Sequence, residues 1–117
     1  MSDIQHFETT PTLSDVTVYG NTVYLAGQVP DDDSLDITGQ TKQVLANIDK
    51  MLALAGTDKS RMLSVQVFIK DLSDFEAFNA VWAEWVADIT PPSRATIEAN
   101  LVNPNWLIEI MVVAAKP

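Results

Sequence analysis

The chain has 117 residues, of which 47% are hydrophobic, and it carries seven basic against sixteen acidic side chains. This is the length of one domain with a core of its own, and the hydrophobic content excludes a disordered tail. The formal net charge of −9 and the lack of a basic cluster disfavour nucleic acid as a partner, because phosphate binding needs Lys and Arg.

Several protein classes are excluded by what the sequence lacks. There is no cysteine, which excludes disulfides, thiolate metal sites and a cysteine nucleophile. The apolar runs are shorter than the roughly 20 residues of a membrane-spanning helix, and residues 1–4 lack the pattern of a signal peptide. There is also no glycine-rich phosphate loop, serine elbow or His-based metal spacing. We therefore expect a cytoplasmic protein that uses no membrane, metal or cofactor.

The N-terminal segment has no regular pattern. Residues 1–12 are polar, and we expect them to be irregular and to precede a single domain at residues 13–117. His6, the only histidine of the sequence, lies in this segment. We interpret it as an exposed bystander, so the sequence does not predict histidine-dependent catalysis.

The first regular elements are a β-hairpin and a long helix. β-branched and aromatic runs at residues 16–19 and 23–26 flank Gly20-Asn21, a two-residue turn signal. Apolar residues at helical spacing then predict a helix over residues 37–55. Gly56 stands where a helix C-cap belongs.

The second half of the chain predicts a strand, a helix and two strands. Residues 62–69 have the pattern of a strand, and Ser73–Glu76 has the form of a capping box that starts the second helix. That helix ends before a diproline and has an aromatic stripe, interpreted as core, at Phe75, Phe78, Trp82 and Trp85. The last two strands are expected at residues 94–101 and 106–114.

The order of elements is therefore β-β-α-β-α-β-β, an α+β domain. Its natural packing is a sheet with both helices on one face. Residues 107–108 and 110–113 are apolar on both sides of their strand, so the other sheet face also needs a cover. One domain of this size has no layer left for it, and we infer an oligomer.

Arg94 is the residue that most clearly suggests ligand binding. Its guanidinium is a planar fork that matches a carboxylate in a bidentate pair. The rigid diproline Pro91-Pro92 fixes the backbone just before it. The alternative is a surface arginine paired with one of the sixteen acids, which local sequence alone favours.

Four further residues are weaker candidates. Glu109 is a lone carboxylate in an apolar strand, which is costly unless the group is paired or lies at a site, and pairing of the last two strands could bring it near Arg94. It could equally be an edge-facing or salt-bridged glutamate. Gly27-Gln28 could offer backbone amides to a ligand but is more often a bulge. Asn79 could bind a ligand or pack between helices.

Together these segments resemble the RidA family, also called the YjgF or L-PSP endoribonuclease-like family. The resemblance covers residues 13–114. The paired tryptophans and the start of the domain look more like its YoaB-type branch. The matching segments are Gly20-Asn21, residues 23–30, residues 40–48, Ala55-Gly56, residues 68–71, Asp74-Phe75, Phe78-Asn79, Pro92-Ser93-Arg94 and residues 108–110.

The resemblance implies a chorismate-mutase-like fold and a homotrimer with a central barrel, with ligand clefts between subunits. It implies that Arg94 grips the carboxylate of a 2-imino or enamino acid, and that Glu109 positions the water that hydrolyses the imine to a 2-keto acid and ammonia. Gly27 would contribute its backbone. The resemblance also places Gln28, Asn79 and Thr96 in the ligand-binding site.

Three departures from RidA proper leave alternatives open. Leu13 replaces a tyrosine near the pocket, Ala26 replaces a serine, and Thr96 replaces a cysteine. An imine deaminase is the leading hypothesis. A non-catalytic trimer that binds a small carboxylate, as a sensor or for sequestration, is the second. Ribonuclease activity is the third, and the net charge and the lack of a histidine acid–base pair weigh against it.

Overall fold

The computed structural model describes residues 3–117, which form a mixed six-stranded sheet with two α-helices packed on one face. The sheet order is β1-β2-β3-β6-β4-β5, and neighbours are antiparallel except for the parallel pair β4–β5. The elements in chain order are β1 (Gln5–Thr9), β2 (Ser14–Tyr19), β3 (Thr22–Leu25), α1 (Ile37–Leu54), β4 (Met62–Ile69), α2 (Phe75–Trp85), β5 (Ser93–Glu98) and β6 (Ile108–Ala115).

The hairpin and the first helix are confirmed, and local chemistry explains both. Gly20 has a φ of 60° in the turn between β2 and β3, a conformation that favours glycine. At the start of α1, the Asp36 carboxylate accepts a hydrogen bond from the Gly39 N–H at 2.8 Å. Gly56, with a φ of 78°, ends the helix. Within residues 3–117, no helix combines the length and apolar character needed to cross a bilayer.

The predicted capping box of the second helix is wrong. A short 3₁₀ turn at Leu72–Asp74 precedes α2, and the Asp71 carboxylate caps that turn by accepting from the Ser73 N–H at 2.9 Å. Asp74, at the N-cap of α2, makes no side-chain capping bond. The capping residue is therefore Asp71, two residues before the predicted Ser73.

The polar composition of the N-terminal segment predicts an irregular structure, but part of the segment forms a strand. Gln5–Thr9 forms β1, which pairs with β2 from Gln5 opposite Val18 to Thr9 opposite Ser14. Phe7 packs against the core, while its neighbours are exposed. Because backbone hydrogen bonds hold an edge strand whatever its side chains are, the polar composition of this segment did not indicate β1. Residues 1 and 2 lie outside the described part of the chain.

The core lies between the helices and one face of the sheet, and the opposite face is open. Alternate residues of β2, β3, β4 and β6 are buried under the helices. The open face presents Tyr24, Met111 and Ile97, with exposed fractions of 48%, 36% and 47%. Phe68 and Val113 lie half-buried on it. The expectation of an uncovered apolar face therefore holds for the single chain.

One fully buried polar side chain ties the helical layer to two loops. Gln40 of α1 donates its side-chain amide N–H groups to the carbonyls of Asp33, Leu35 and Asn105 at 3.3, 3.0 and 3.1 Å. Its Oε1 accepts from the Leu107 N–H at 2.8 Å, just before β6 begins. These bonds fix where the chain enters α1 and β6.

Replacing Gln40 by Leu should lower the free energy of unfolding by about 3 kcal/mol, because buried groups left without a partner cost roughly 1–3 kcal/mol each. Leu keeps the helix propensity and the approximate volume of Gln. Chemical denaturation is the measurement.

The matched control is Gln43→Leu, one turn later on the same helix. Gln43 is partly exposed and accepts one bond, from the Asp32 N–H at 2.8 Å. Its loss should cost less than about 1 kcal/mol. Equal losses for the two variants would contradict the assigned role of Gln40.

Candidate functional site

Arg94 lies on the helix-covered face of edge strand β5, beneath α2. Its register partner on β4 is Val65, a core residue. The guanidinium carbon lies 5.8, 5.5 and 5.4 Å from the ring centroids of Phe75, Phe78 and Trp82. The diproline before β5 and the packing of α2 together place this cation among aromatic rings.

Arg94 is held by an amide, not by a carboxylate. Its Nη1 donates to Asn79 Oδ1 at 2.8 Å. In the described part of the chain the one ion pair is Lys59–Asp88, so no acid neutralises Arg94. Burial lowers the pKa of the Arg94 guanidinium, yet arginine stays charged at neutral pH. Arg94 is therefore a half-buried cation whose charge is available to an anionic ligand.

Thr96 lies two residues after Arg94 and shares its sheet face. Its hydroxyl oxygen is buried and has no hydrogen-bond partner within residues 3–117. A buried polar atom without a partner is uncommon in folded proteins. Thr96 and Asn79 thus both lie on the side of the chain where Arg94 lies.

Glu109 lies on the other face of the sheet. It is half-buried between the core residues Ile108 and Ile110, and its register partner on β4 is Phe68. Burial raises the pKa of the Glu109 carboxyl. A carboxyl with a raised pKa accepts a proton more readily than an ordinary glutamate does.

Gly27 makes room for the Glu109 carboxylate. A Cβ built on Gly27 would lie 1.9 Å from Glu109 Oε2 and 2.8 Å from its Cδ. The backbone of the next residue, Gln28, exchanges hydrogen bonds of 2.8 and 3.1 Å with Ile110, which fixes this approach. Gly27 and Glu109 are therefore in close contact, although they are far apart in sequence.

The donors of Gln28 bond within the chain, which differs from the prediction that its backbone amide could bind a ligand. Its backbone N–H donates to the Ile110 carbonyl. Its buried side-chain amide donates to the Ala26 carbonyl at 3.0 Å and weakly to Asp15 Oδ1 at 3.4 Å. Because these donors bond within the chain, Gln28 shapes the backbone beside Gly27 and offers no free backbone N–H.

The structure does not bring Arg94 and Glu109 together within one chain. The last two strands are not neighbours, because β4 lies between them. Arg94 pairs with Val65, whereas Glu109 pairs with Phe68, three residues along, so the two side chains leave opposite faces. Strand spacing and rise put their Cα atoms roughly 14 Å apart. The expectation that pairing of the last strands joins them is wrong.

The cleft beside Gly27 lies against α1, its lining does not include Glu109, and it is poorly suited to an anion. It has a volume of about 320 Å³, and its wall includes Glu8, Asp15 and Asp31 but only one cation, Lys50. Three carboxylates repel a carboxylate ligand more than one lysine attracts it. Among residues 3–117, moreover, no three His, Asp or Glu side chains are grouped so that they could hold a metal ion.

Comparison with known proteins identifies the family. Residues 4–116 match the Endoribonuclease L-PSP family. The chain belongs to this family. A RutC family protein from Haemophilus ducreyi is 47% identical over 112 residues, or 96% of each chain. The RutC family protein YoaB from Escherichia coli is 41% identical over 102 residues, or 87% of this chain and 89% of YoaB.

Solved structures agree with this placement in the L-PSP family. A member of the YjgF protein family from Neisseria meningitidis superposes with a TM-score of 0.95 at 38% identity, covering 98% of this chain and 96% of that one. A Pseudomonas aeruginosa protein superposes equally well, at 40% identity and with 98% and 100% coverage. The chorismate-mutase-like fold and the YoaB-type resemblance are thereby confirmed.

The aromatic contacts of Arg94 were not predicted as part of the site. Phe78 and Trp82 belong to the core, and Phe75 and Trp85 pack against it, which confirms their core interpretation. Helical spacing on α2 indicated a shared face, but nothing local showed that β5 runs beneath that face. The contact depends on the sheet order.

Replacing Gly27 by Ala should move the Glu109 carboxylate without unfolding the protein, because the atoms displaced are the end of a flexible side chain. The carboxyl should then reach more water, and its pKa should fall toward the ordinary value. A ¹³C NMR titration of Glu109 measures this.

Gly20→Ala is the control for a glycine far from Glu109. A Cβ on Gly20 meets nothing within 4 Å, but its φ of +60° should cost about 1 kcal/mol of stability. The Glu109 titration should be as in wild type. An unchanged Glu109 titration in Gly27→Ala would refute the coupling.

Glu109 should also make stability depend on pH. Its pKa is raised in the folded state, so folding binds a proton more tightly, and that stability is lost as pH rises through the folded pKa. Glu109→Gln cannot ionise. Its free energy of unfolding, relative to wild type, should therefore rise as the pH is raised above about 4, the ordinary pKa of a glutamate. Denaturation at fixed protein concentration tests this, and a difference that falls with pH would contradict it.

Proposed function

We propose that this L-PSP family member hydrolyses reactive 2-imino or enamino acids to 2-keto acids and ammonia, at sites formed between the subunits of a homotrimer. The observation that carries the proposal is the half-buried Arg94, which no carboxylate of the described chain neutralises. Such a cation matches the carboxylate that every 2-imino acid bears beside its reactive carbon.

The proposed reaction needs positioning, charge and one proton acceptor. Arg94 binds the substrate carboxylate and fixes the imine carbon beside it. The Glu109 carboxylate takes a proton from water as the water oxygen bonds to that carbon, and the C=N electron pair moves to nitrogen. Return of the proton to nitrogen gives a carbinolamine. Glu109 then moves the hydroxyl proton to the nitrogen, the C–N bond breaks, and ammonia leaves as the C=O bond forms. The raised pKa of Glu109 suits it to these proton steps.

A site made by two copies follows from the opposite faces of Arg94 and Glu109. One copy would supply Arg94, Asn79 and Thr96, and its neighbour would supply Glu109 and Gly27. The exposed apolar residues of the open face supply a surface for that association.

A carboxylate-binding trimer without turnover is the second candidate. The residues that favour it are Leu13 and Ala26, which carry no hydroxyl where RidA proper has tyrosine and serine. Ribonuclease activity is disfavoured by the net charge of −9. His6 also lies on β1, at the opposite sheet edge from Arg94 on β5, which leaves Arg94 without a histidine partner for RNA cleavage.

Wild-type protein should release 2-keto acid and ammonia faster than the spontaneous rate when an L-amino-acid oxidase generates the imine in situ. Arg94→Ala and Glu109→Gln should each lower this rate about 100-fold, by loss of the anchor and of the proton acceptor. Binding of a 2-keto acid without turnover would select the second candidate function.

Mixing the two inactive variants tests whether the site is shared. After joint unfolding and refolding at equal amounts, about one quarter of the sites of a cyclic trimer should pair an intact Arg94 with an intact Glu109. Activity should recover to that fraction of wild type. The control is the same mixture without unfolding, which should stay inactive while subunits do not exchange. No recovery after refolding would overturn the two-copy site.

A further inference from the structure

The guanidinium of Arg94 is surrounded by the faces of three aromatic rings of α2, from Phe75, Phe78 and Trp82. All three centroids lie within 6 Å of its carbon, inside the range of a cation–π interaction. Phe78 is fully buried and Trp82 nearly so, which leaves their rings little freedom to move. We call this group the aromatic cradle.

An aromatic cradle can stabilise the Arg94 cation without neutralising its charge, which a carboxylate cannot do. A half-buried cation needs compensation for lost water, and an acid of the same chain would usually supply it. That acid would also neutralise the charge and compete with an incoming carboxylate. Ring faces attract the cation through their quadrupole and leave its charge intact. Among residues 3–117 the guanidinium bonds only to Asn79, which leaves the other N–H groups of Arg94 available.

We propose that Phe75, Phe78 and Trp82 are positioning residues, which hold the Arg94 guanidinium ordered and charged for a small carboxylate and thereby set the affinity for it. This inference rests on the proposed function, in which Arg94 is the carboxylate anchor. Trp82 has the largest part, because its centroid is the nearest and indole is the best cation–π partner of the three.

Trp85 provides a matched control on the same helix. Its ring packs against Trp82 at 5.4 Å, but the cation over it is Lys59, at 5.2 Å. Its indole N–H donates to Asp49 at 3.1 Å, on α1. Trp85→Leu therefore removes a comparable indole from the same packed layer without removing a contact of Arg94.

The experiment compares wild type with Trp82→Leu, Trp82→Phe, Phe75→Leu and Trp85→Leu. Titration with 2-oxobutanoate gives the dissociation constant, and NMR of the Arg94 Nε–Hε group in the ligand-free protein reports its order and ring-current shift. Thermal unfolding reports stability. Phe75 is only half-buried, so Phe75→Leu keeps the test open if Trp82→Leu does not fold.

Trp82→Leu should weaken 2-oxobutanoate binding about tenfold, and Phe75→Leu about threefold, while Trp82→Phe stays within about twofold of wild type. The Arg94 signal should lose its ring-current shift in Trp82→Leu. Trp85→Leu should lower thermal stability and leave both the affinity and the Arg94 signal as in wild type.

Two results separate failure of the inference from failure of the proposed function. Wild-type affinity and an unchanged Arg94 signal in folded Trp82→Leu and Phe75→Leu would overturn the cradle. If wild type does not bind 2-oxobutanoate, while the Arg94 signal is ordered and shifts only in the cradle variants, the carboxylate function fails and the positioning of Arg94 stands.

Discussion

The alternation of side chains along a β-strand is the constraint on which the rest of this structure depends. The helices bury one face of the sheet, so every second residue of β4 and β6 is committed to the core. Arg94 is in register with a core position, and Glu109 is in register with Phe68 on the open face. No rotamer can take a side chain through a sheet. A site that uses both residues must therefore be built from two copies, and the same open face offers the apolar surface for joining them.

A half-buried arginine without an acid is costly in a single chain, and its surroundings show how the cost is reduced. Burial lowers the Arg94 pKa, which means that the charged form has lost favourable hydration. Three ring faces and the Asn79 oxygen replace part of it. The chain has sixteen acids, and none within residues 3–117 pairs with Arg94. In the proposed function, a substrate carboxylate would take the place of that acid.

Local chemistry made part of the fold predictable. The turn at Gly20-Asn21 and the end of α1 at Gly56 follow from backbone angles that favour glycine, and the structure confirms both. The strand β1 was missed because edge pairing uses backbone groups and leaves no apolar pattern. The order of the strands in the sheet could not be predicted from the sequence either. A short turn at residues 103–105 suggested that the last strands pair, whereas the crossover through α2 sets β5 parallel to β4. Arg94, Glu109 and Gly27 could be named from sequence, but not their faces or the rings around Arg94.

In the proposed two-copy site, a substrate carboxylate would link the roles of Arg94 and Glu109. Burial raises the pKa of the Glu109 carboxyl, which favours proton uptake from water. A bound carboxylate would neutralise most of the Arg94 charge, so the anchored substrate would shield Glu109 from the guanidinium and leave the raised pKa in place during the reaction. A permanent acid beside Arg94 would give the same shielding, but it would occupy the position that the substrate carboxylate needs. Within residues 3–117 no such acid pairs with Arg94, and this leaves the anchor open for the substrate.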